Sequence, residues 1–419
     1  MRKIVIFAFL AAIARGASAE PGGDQALEEK VSALQQDVDS LKEQARQKRT
    51  GLQNPDISAA IDAIGSYSDA GDNINFTPRD VELMIQANAD PFTKAYIVFN
   101  AESELEPVEE SDPFSEVSLG LEEAAIQTTD LPGGLALKAG VFFADFTRLG
   151  KVHSHDLPFT DRPASLEQIL GGEDKARGVE MSWLPPVGSY IRLTLGVVDD
   201  IGAEPAVNSV LTTADGEEAD AFAGDDHRSV DTLTCYGRIA TLIEVGESAV
   251  LHLGASASHG GNESTREMAA ADFKLEWKPV PNGNDLVELA GEWLTSKREG
   301  DLAEDALFEE GPTTGSADAS GGYVYAQYRF TPVWQPGVRF DYTQPESYEA
   351  GDDGLTKTDD NLYTYSAYLT AYFSEFNRVR LQANYVQSDN EIADGQDTDT
   401  QVFLQWSIVL GAHKHDFVP

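Results

Sequence analysis

From residue 55 onward the chain divides into about sixteen stretches of roughly ten residues, apolar at alternate positions, joined by connections that are short and long in turn. A period of two is the side-chain repeat of a β-strand. Strands with one apolar and one polar side, linked by turns of unequal length, predict an all-β fold: a transmembrane antiparallel β-barrel of about 16 strands. The stretch 79–90 sets Val81, Leu83, Ile85 and Ala87 against Asp80, Glu82, Gln86 and Asn88. Residues 378–388 set Val379, Leu381, Ala383 and Tyr385 against Arg378, Arg380, Gln382 and Asn384. The long connections are expected at 68–78, 103–116, 147–175, 199–230, 298–321, 345–361 and 389–399. The short ones include Asp90-Pro91, Gly246-Glu247 and Pro332 to Trp334. A soluble β-sandwich imposes no such alternation. Aromatic residues near strand ends, among them Trp183, Trp277, Trp334 and Trp406, suit girdles at the two membrane interfaces.

The 419 residues carry 30 basic and 71 acidic side chains, a net −41, which disfavours nucleic acid and anionic lipid as partners and favours cations. A hydrophobic content of 41% fits a barrel, where only every second strand residue faces lipid. A single cysteine, Cys235, excludes an internal disulfide framework.

Residues 1–19 read as a cleaved export signal: Arg2 and Lys3, an apolar core from Ile4 to Ile13, and Ala17-Ser18-Ala19 before the cut. Residues 20–50 read as a periplasmic coiled-coil segment. Leu27, Val31, Leu34, Val38, Leu41 and Ala45 alternate in steps of four and three, the a/d seam of a coiled coil. Three heptads are marginal alone in water, so 24–49 is expected to join copies of the chain, with a homotrimer as the reading. A single amphipathic helix or a spacer is the alternative. Residues 51–419 then form the barrel, with 147–175 as the loop expected to fold inward and narrow it.

Six arginines fall on the inward phase: Arg192, Arg238, Arg329, Arg339, Arg378 and Arg380. Acids of the 147–175 loop, including Asp156, Asp161 and Glu167, are expected to face them across a constriction and set a transverse field that orients polar solutes. The alternative is that the arginines pair with wall acids such as Glu82, Glu276, Glu288 and Asp341. His153 and His155, with Asp156, have the spacing of metal ligands on an extended chain, as do His413 and His415; incidental histidines are the blander reading. The acidic outer loops are read as solvated rather than as cation sites. No phosphate-cradling loop, nucleophile elbow or catalytic triad is present, so neither an enzyme nor a bound cofactor is expected.

Several segments carry a family likeness: Leu52-Gln53-Asn54-Pro55-Asp56-Ile57-Ser58, Leu131-Pro132-Gly133-Gly134-Leu135, and Phe142 to Arg148 running into His153-Ser154-His155-Asp156-Leu157-Pro158-Phe159-Thr160-Asp161-Arg162-Pro163. With them the chain resembles Gram-negative outer-membrane porins of the phosphate-selective-porin-like (porin O/P-like) type. The resemblance implies a trimeric diffusion pore in the outer membrane without fixing its solute. The scattered arginines and acid excess differ from a dense basic eyelet, and the chain ends Phe417-Val418-Pro419 instead of on an aromatic residue. The expected function is passive passage of ions and small hydrophilic solutes through the bilayer. A specific uptake protein for a metal ion or small ligand, or a structural outer-membrane anchor, are the alternatives.

Overall fold

The computed structural model describes residues between 55 and 411, apart from 71–72, 104–116, 130, 203–209, 213–217, 221–231, 262–264, 281–284, 302–313, 352–353, 358–360, 391 and 393–395. The expected export signal, the coiled-coil segment and the His413/His415 pair lie outside the described residues. The described residues belong to one compact unit that begins at Pro55.

Sixteen strands close into one antiparallel barrel. They are β1 (Asp56–Ser68), β2 (Asn73–Asn88), β3 (Thr93–Ser103), β4 (Val117–Thr128), β5 (Leu135–Phe143), β6 (Lys175–Trp183) and β7 (Tyr190–Val198). After two short outer strands, β8 (Val210–Thr212) and β9 (Glu218–Asp220), the wall continues with β10 (Thr234–Val245), β11 (Ala249–Gly260), β12 (Thr265–Trp277), β13 (Leu286–Asp301), β14 (Thr314–Arg329) and β15 (Trp334–Gln344). A second outer hairpin, β16 (Ser347–Gly351) and β17 (Gly354–Lys357), precedes β18 (Leu362–Ser374), β19 (Asn377–Ser388) and β20 (Thr398–Gly411). β1 pairs with β20 from Ser58↔Gly411 to Ser68↔Gln401, so the barrel has no free edge. β8 and β16 pair in parallel, joining two long connections in a small four-stranded sheet.

Side chains follow the expected phase. On β19 and β20 the outward Leu381 and Leu404 are more than half exposed, while the inward Arg380, Gln382 and Gln405 are buried. At the short-turn end, Trp183, Trp277, Tyr328, Trp334, Phe373 and Phe376 stay exposed on the outer face, where an interfacial girdle belongs. The turns are built locally: Asp90 Oδ1 accepts the Phe92 N–H at 2.7 Å, and Gly246 turns the chain with φ +67°.

Two strands begin six or more residues before their expected starts of 79 and 322. β14 starts at Thr314, where the small polar run to Ser320 shows no apolar alternation yet pairs with Thr295 to Asp301. β2 starts at Asn73, because one extra residue at Arg79 shifts its register against β1 and flips the inward phase. Pro78, beside that shift, sits where a strand tolerates proline.

Candidate functional site: the loop inside the barrel

Between Phe143 and Lys175 the chain leaves the wall and folds into the lumen. Its apolar residues have no other place to bury themselves. Phe146, Leu149, Leu157, Phe159, Leu166, Ile169 and Leu170 are all nearly inaccessible. A short helix, α1 (Ala164–Leu170), follows Pro163, whose fixed φ suits a helix start. It ends at Gly171 (φ +65°), with Gly171 N–H donating to Glu167 O and Gly172 N–H to Leu166 O, each at 3.0 Å. Leu166, Ile169 and Leu170 recur at helical spacing, and α1 packs on β13, β14 and β15. Phe159 sits edge-on among Tyr323, Tyr325 and Tyr368, with ring centroids at 6.4, 5.4 and 6.2 Å. Tyr368 in turn lies over Gly337, where an added Cβ would stand 2.3 Å from its ring.

Polar contacts fix the rest of the loop. Asp145 receives Lys151, Arg192 (2.8 Å) and Arg238 (3.6 Å). Burial alone would raise its pKa; the three cations outweigh burial and hold it far below the usual carboxylate range. Asp174 accepts Thr147 N–H at 2.6 Å and Thr147 Oγ1–H at 2.8 Å, and burial pushes its carboxyl up to about 6. Arg162 donates to Leu149 O (2.8 Å) and Val152 O (2.9 Å) and pairs with Glu173 (2.8 Å), tying the loop to itself. At the tip, Thr160 N–H donates to Gln382 at 2.7 Å, and Arg79 reaches both Thr160 O and Asp62.

The six expected arginines are all inward, with unequal environments. Arg192 and Arg238 meet Asp145, and Arg238 also meets Asp272 at 2.7 Å. Arg339 lies between Asp161 (2.7 Å) and Asp341 (2.9 Å), with its guanidinium 4.3 Å from the Phe159 ring. Arg380 donates to Thr370, Gln405 and Leu157 O. Arg329 stacks on Tyr372 at 4.6 Å and donates to Gln335, and Arg378 is half-buried in the same inward row as Arg380. The loop acids do not stand together across a gap. Asp161 is closed onto Arg339, Glu167 is 4.0 Å from Arg162 of its own loop, and Asp156 is 3.8 Å from His155. Of the wall acids named as alternative partners, Asp341 meets an arginine, whereas Glu276 and Glu288 pair with Lys274.

Glu82 meets the histidines. His153 Nδ1 is 3.0 Å and His155 Nδ1 2.9 Å from the same Glu82 Oε1. Glu122 lies 3.2 Å from His153 Nδ1, Glu123 3.3 Å from His153 Nε2, and Asp80 3.5 Å from His155 Nδ1. Burial would lower both imidazoles, but the carboxylates raise His153 well above its usual value and His155 to about 10. Two sets of donor atoms lie within 4.8 Å of one another: Asp80, Glu82 and His155, and Glu82, Glu122 and His153. Asp156, expected beside the histidines, belongs to neither set: its carboxylate is turned to the far nitrogen of His155.

Sequence reading missed Arg79, Glu122, Glu123 and Arg266. Register shifts explain the first three. The shift at Arg79 turns both Arg79 and Asp80 inward, and one between Val98 and Phe99 makes Glu122 the extra residue of β4, so Glu122 and Glu123 both face in. Two adjacent ionisable residues inside a strand were the available signal. Arg266, which donates to Ile169 O and Ile201 O, lies just before 267, where the apolar alternation of its strand starts.

No family model matches the sequence. An uncharacterized protein of Aquifex aeolicus is 26% identical over 359 residues, covering 83% of this chain and 70% of that protein. Among solved structures, the outer membrane channel DcaP of Acinetobacter baumannii superposes with a TM-score of 0.52 at 10% identity, covering 85% of this chain and 97% of that one. In-vitro folded OmpT, an outer membrane protein of Vibrio cholerae, gives a TM-score of 0.50 at 8% identity with the same coverage. A trimer form of OmpT gives 0.50 at 8% identity, covering 85% of this chain and 99% of that one. At these identities the likeness establishes the fold: a closed barrel of sixteen strands of the kind found in outer-membrane channel proteins.

Proposed function

We propose that this chain is a passive outer-membrane porin of the phosphate-selective-porin-like type. It lets ions and small hydrophilic solutes cross through the barrel and performs no enzymatic step. The short-turn end faces the periplasm, and residues 24–49 and barrel contacts hold a homotrimer. One observation carries this reading: a long loop is folded into the lumen and tied to many wall strands, which narrows the passage instead of leaving a wide hole. The remaining lumen wall carries half-buried charge, including Lys138, Arg192, Lys274, Arg329 and Arg378, so the path is wet and selective by charge. The acidic outer connections enrich cations at the mouth at low salt.

Planar-bilayer recording of the purified protein tests this. Discrete ohmic steps with a reversal potential that depends on the K⁺/Cl⁻ gradient support a diffusion pore. Absence of any conductance would refute it. A second reading, uptake of a bound ligand, is favoured by the histidine–carboxylate cluster on the inner wall, and saturation of conductance with ligand concentration would select it.

A further inference from the structure

We propose that Glu82, Glu122 and His153 hold one divalent transition-metal ion of the zinc class on the inner wall, where the lumen loop meets β2 and β4. Conduction does not depend on this site, and the site does not depend on the pore reading.

The donor set has the right chemistry and spacing. Imidazole nitrogen and carboxylate oxygen are zinc ligands at about 2.0–2.2 Å, which puts neighbouring ligand atoms about 3.4 Å apart in a tetrahedral site. Here His153 Nδ1 stands 3.0 Å from Glu82 and 3.2 Å from Glu122. The opposite ring nitrogen, Nε2, is 3.3 Å from Glu123. That is the arrangement in which an outer carboxylate orients a metal-bound imidazole and raises its basicity. Three protein ligands leave a fourth position for water or a passing solute.

Independent features point to a built site. The extra residue in β4 turns Glu122 and Glu123 inward together, and the shift at Arg79 sets the inward phase that carries Asp80 and Glu82. Bulges of this kind re-aim side chains beside functional sites. Glu82 is 1% and Glu122 3% exposed, yet the Oε2 atom of each makes no hydrogen bond. Buried carboxylate oxygens are costly unless paired or coordinating a metal. Asp80, Glu82, Glu122 and Glu123 crowd two imidazoles, so the cluster holds an acid excess that a divalent cation balances. His155, held by Asp80 and by Glu82 at 2.9 Å, positions Glu82 from the other side.

The test uses the full chain, folded in detergent, in a His413→Ala/His415→Ala background that removes the terminal pair. After chelator treatment and dialysis against Zn²⁺, about one ion per chain is expected to remain bound, with affinity falling at least about tenfold in Glu122→Gln and in His153→Gln. Glu123→Gln is expected to weaken binding less, and His252→Ala, elsewhere in the lumen, to leave it unchanged. Heat-modifiable migration on gels shows whether each variant has formed its barrel. If one has not, Co²⁺ loading of the parent decides: visible ligand-field bands of a low-coordinate site support the assignment, and a hexa-aquo spectrum overturns it. Failure of the parent to retain Zn²⁺, or retention by both variants at parental affinity, would show that the histidines serve only as cationic pins for the loop.

Discussion

The wall formed by β12–β15 and β18 meets the lumen loop mainly with apolar and aromatic surface, broken by Arg266 and Arg339, whereas β1, β2 and β4, on the other side of the ring, meet it with charge. On the first side, Met268, Ala290, Leu294, Tyr323, Tyr325 and Tyr368 join Phe159, Leu166, Ile169 and Leu170 in one buried cluster. On the second, Asp62, Asp80, Glu82, Glu122 and Glu123 face Arg79, His153 and His155. The contrast separates two tasks. Apolar burial is non-directional and sets how firmly the loop is docked. Buried charge adds little net stability but costs heavily when one partner is lost, so it fixes register and creates chemistry.

The largest expected effect comes from a charged residue set within the aromatic side. Arg339→Ala leaves the buried Asp341 and the half-buried Asp161 without their cation, at a cost of about 3–5 kcal/mol. Undocking of the loop tip should appear as new protease cleavage near Asp161 and as current noise. Phe159→Ala empties the slot among three tyrosines, a loss of about 3–5 kcal/mol for a buried aromatic residue. If the noise and cleavage of Phe159→Ala match the parent, the aromatic wall is not the anchor.

Asp174 gives a graded test. Burial raises its carboxyl from 3.8 to about 6, against hydrogen bonds from Thr147 and the nearby Lys151 and Arg238. A carboxyl raised in the folded state stabilises docking fully below pH 4, and that contribution is lost as pH rises through about 6, at most about 3 kcal/mol. Protease protection of the loop in the parent should therefore fall between about pH 4 and 6. Asp174→Asn should flatten that step; an unchanged pH profile would remove Asp174 from the explanation. The smallest effect belongs to Arg329→Ala. Its guanidinium stacks on Tyr372, so stability should change by under about 1 kcal/mol, while the reversal potential moves toward K⁺.

The barrel was legible because its repeat is local. Outward Leu381 and inward Arg380 obey period two, and the turn lengths alternate without knowledge of distant contacts. The inward direction of all six arginines followed from that phase. Their partners did not. Asp161 reaches Arg339, and His153 reaches Glu82 and Glu122, across long stretches of chain. Histidine spacing therefore suggested Asp156, the sequence neighbour, in place of the wall carboxylates. The bulges were obscured for a related reason: one extra residue flips the phase, so 73–78 fell in the expected 68–78 loop and the inward turn of both Glu122 and Glu123 went unread.

Whether the inward loop sets the aperture is tested most directly by single-channel recording of the parent beside a variant in which 150–172 is replaced by a short Gly/Ser linker. The expected result is a severalfold larger unit conductance and weaker ion discrimination in the variant. Equal conductance and equal reversal potential in the two proteins would contradict it.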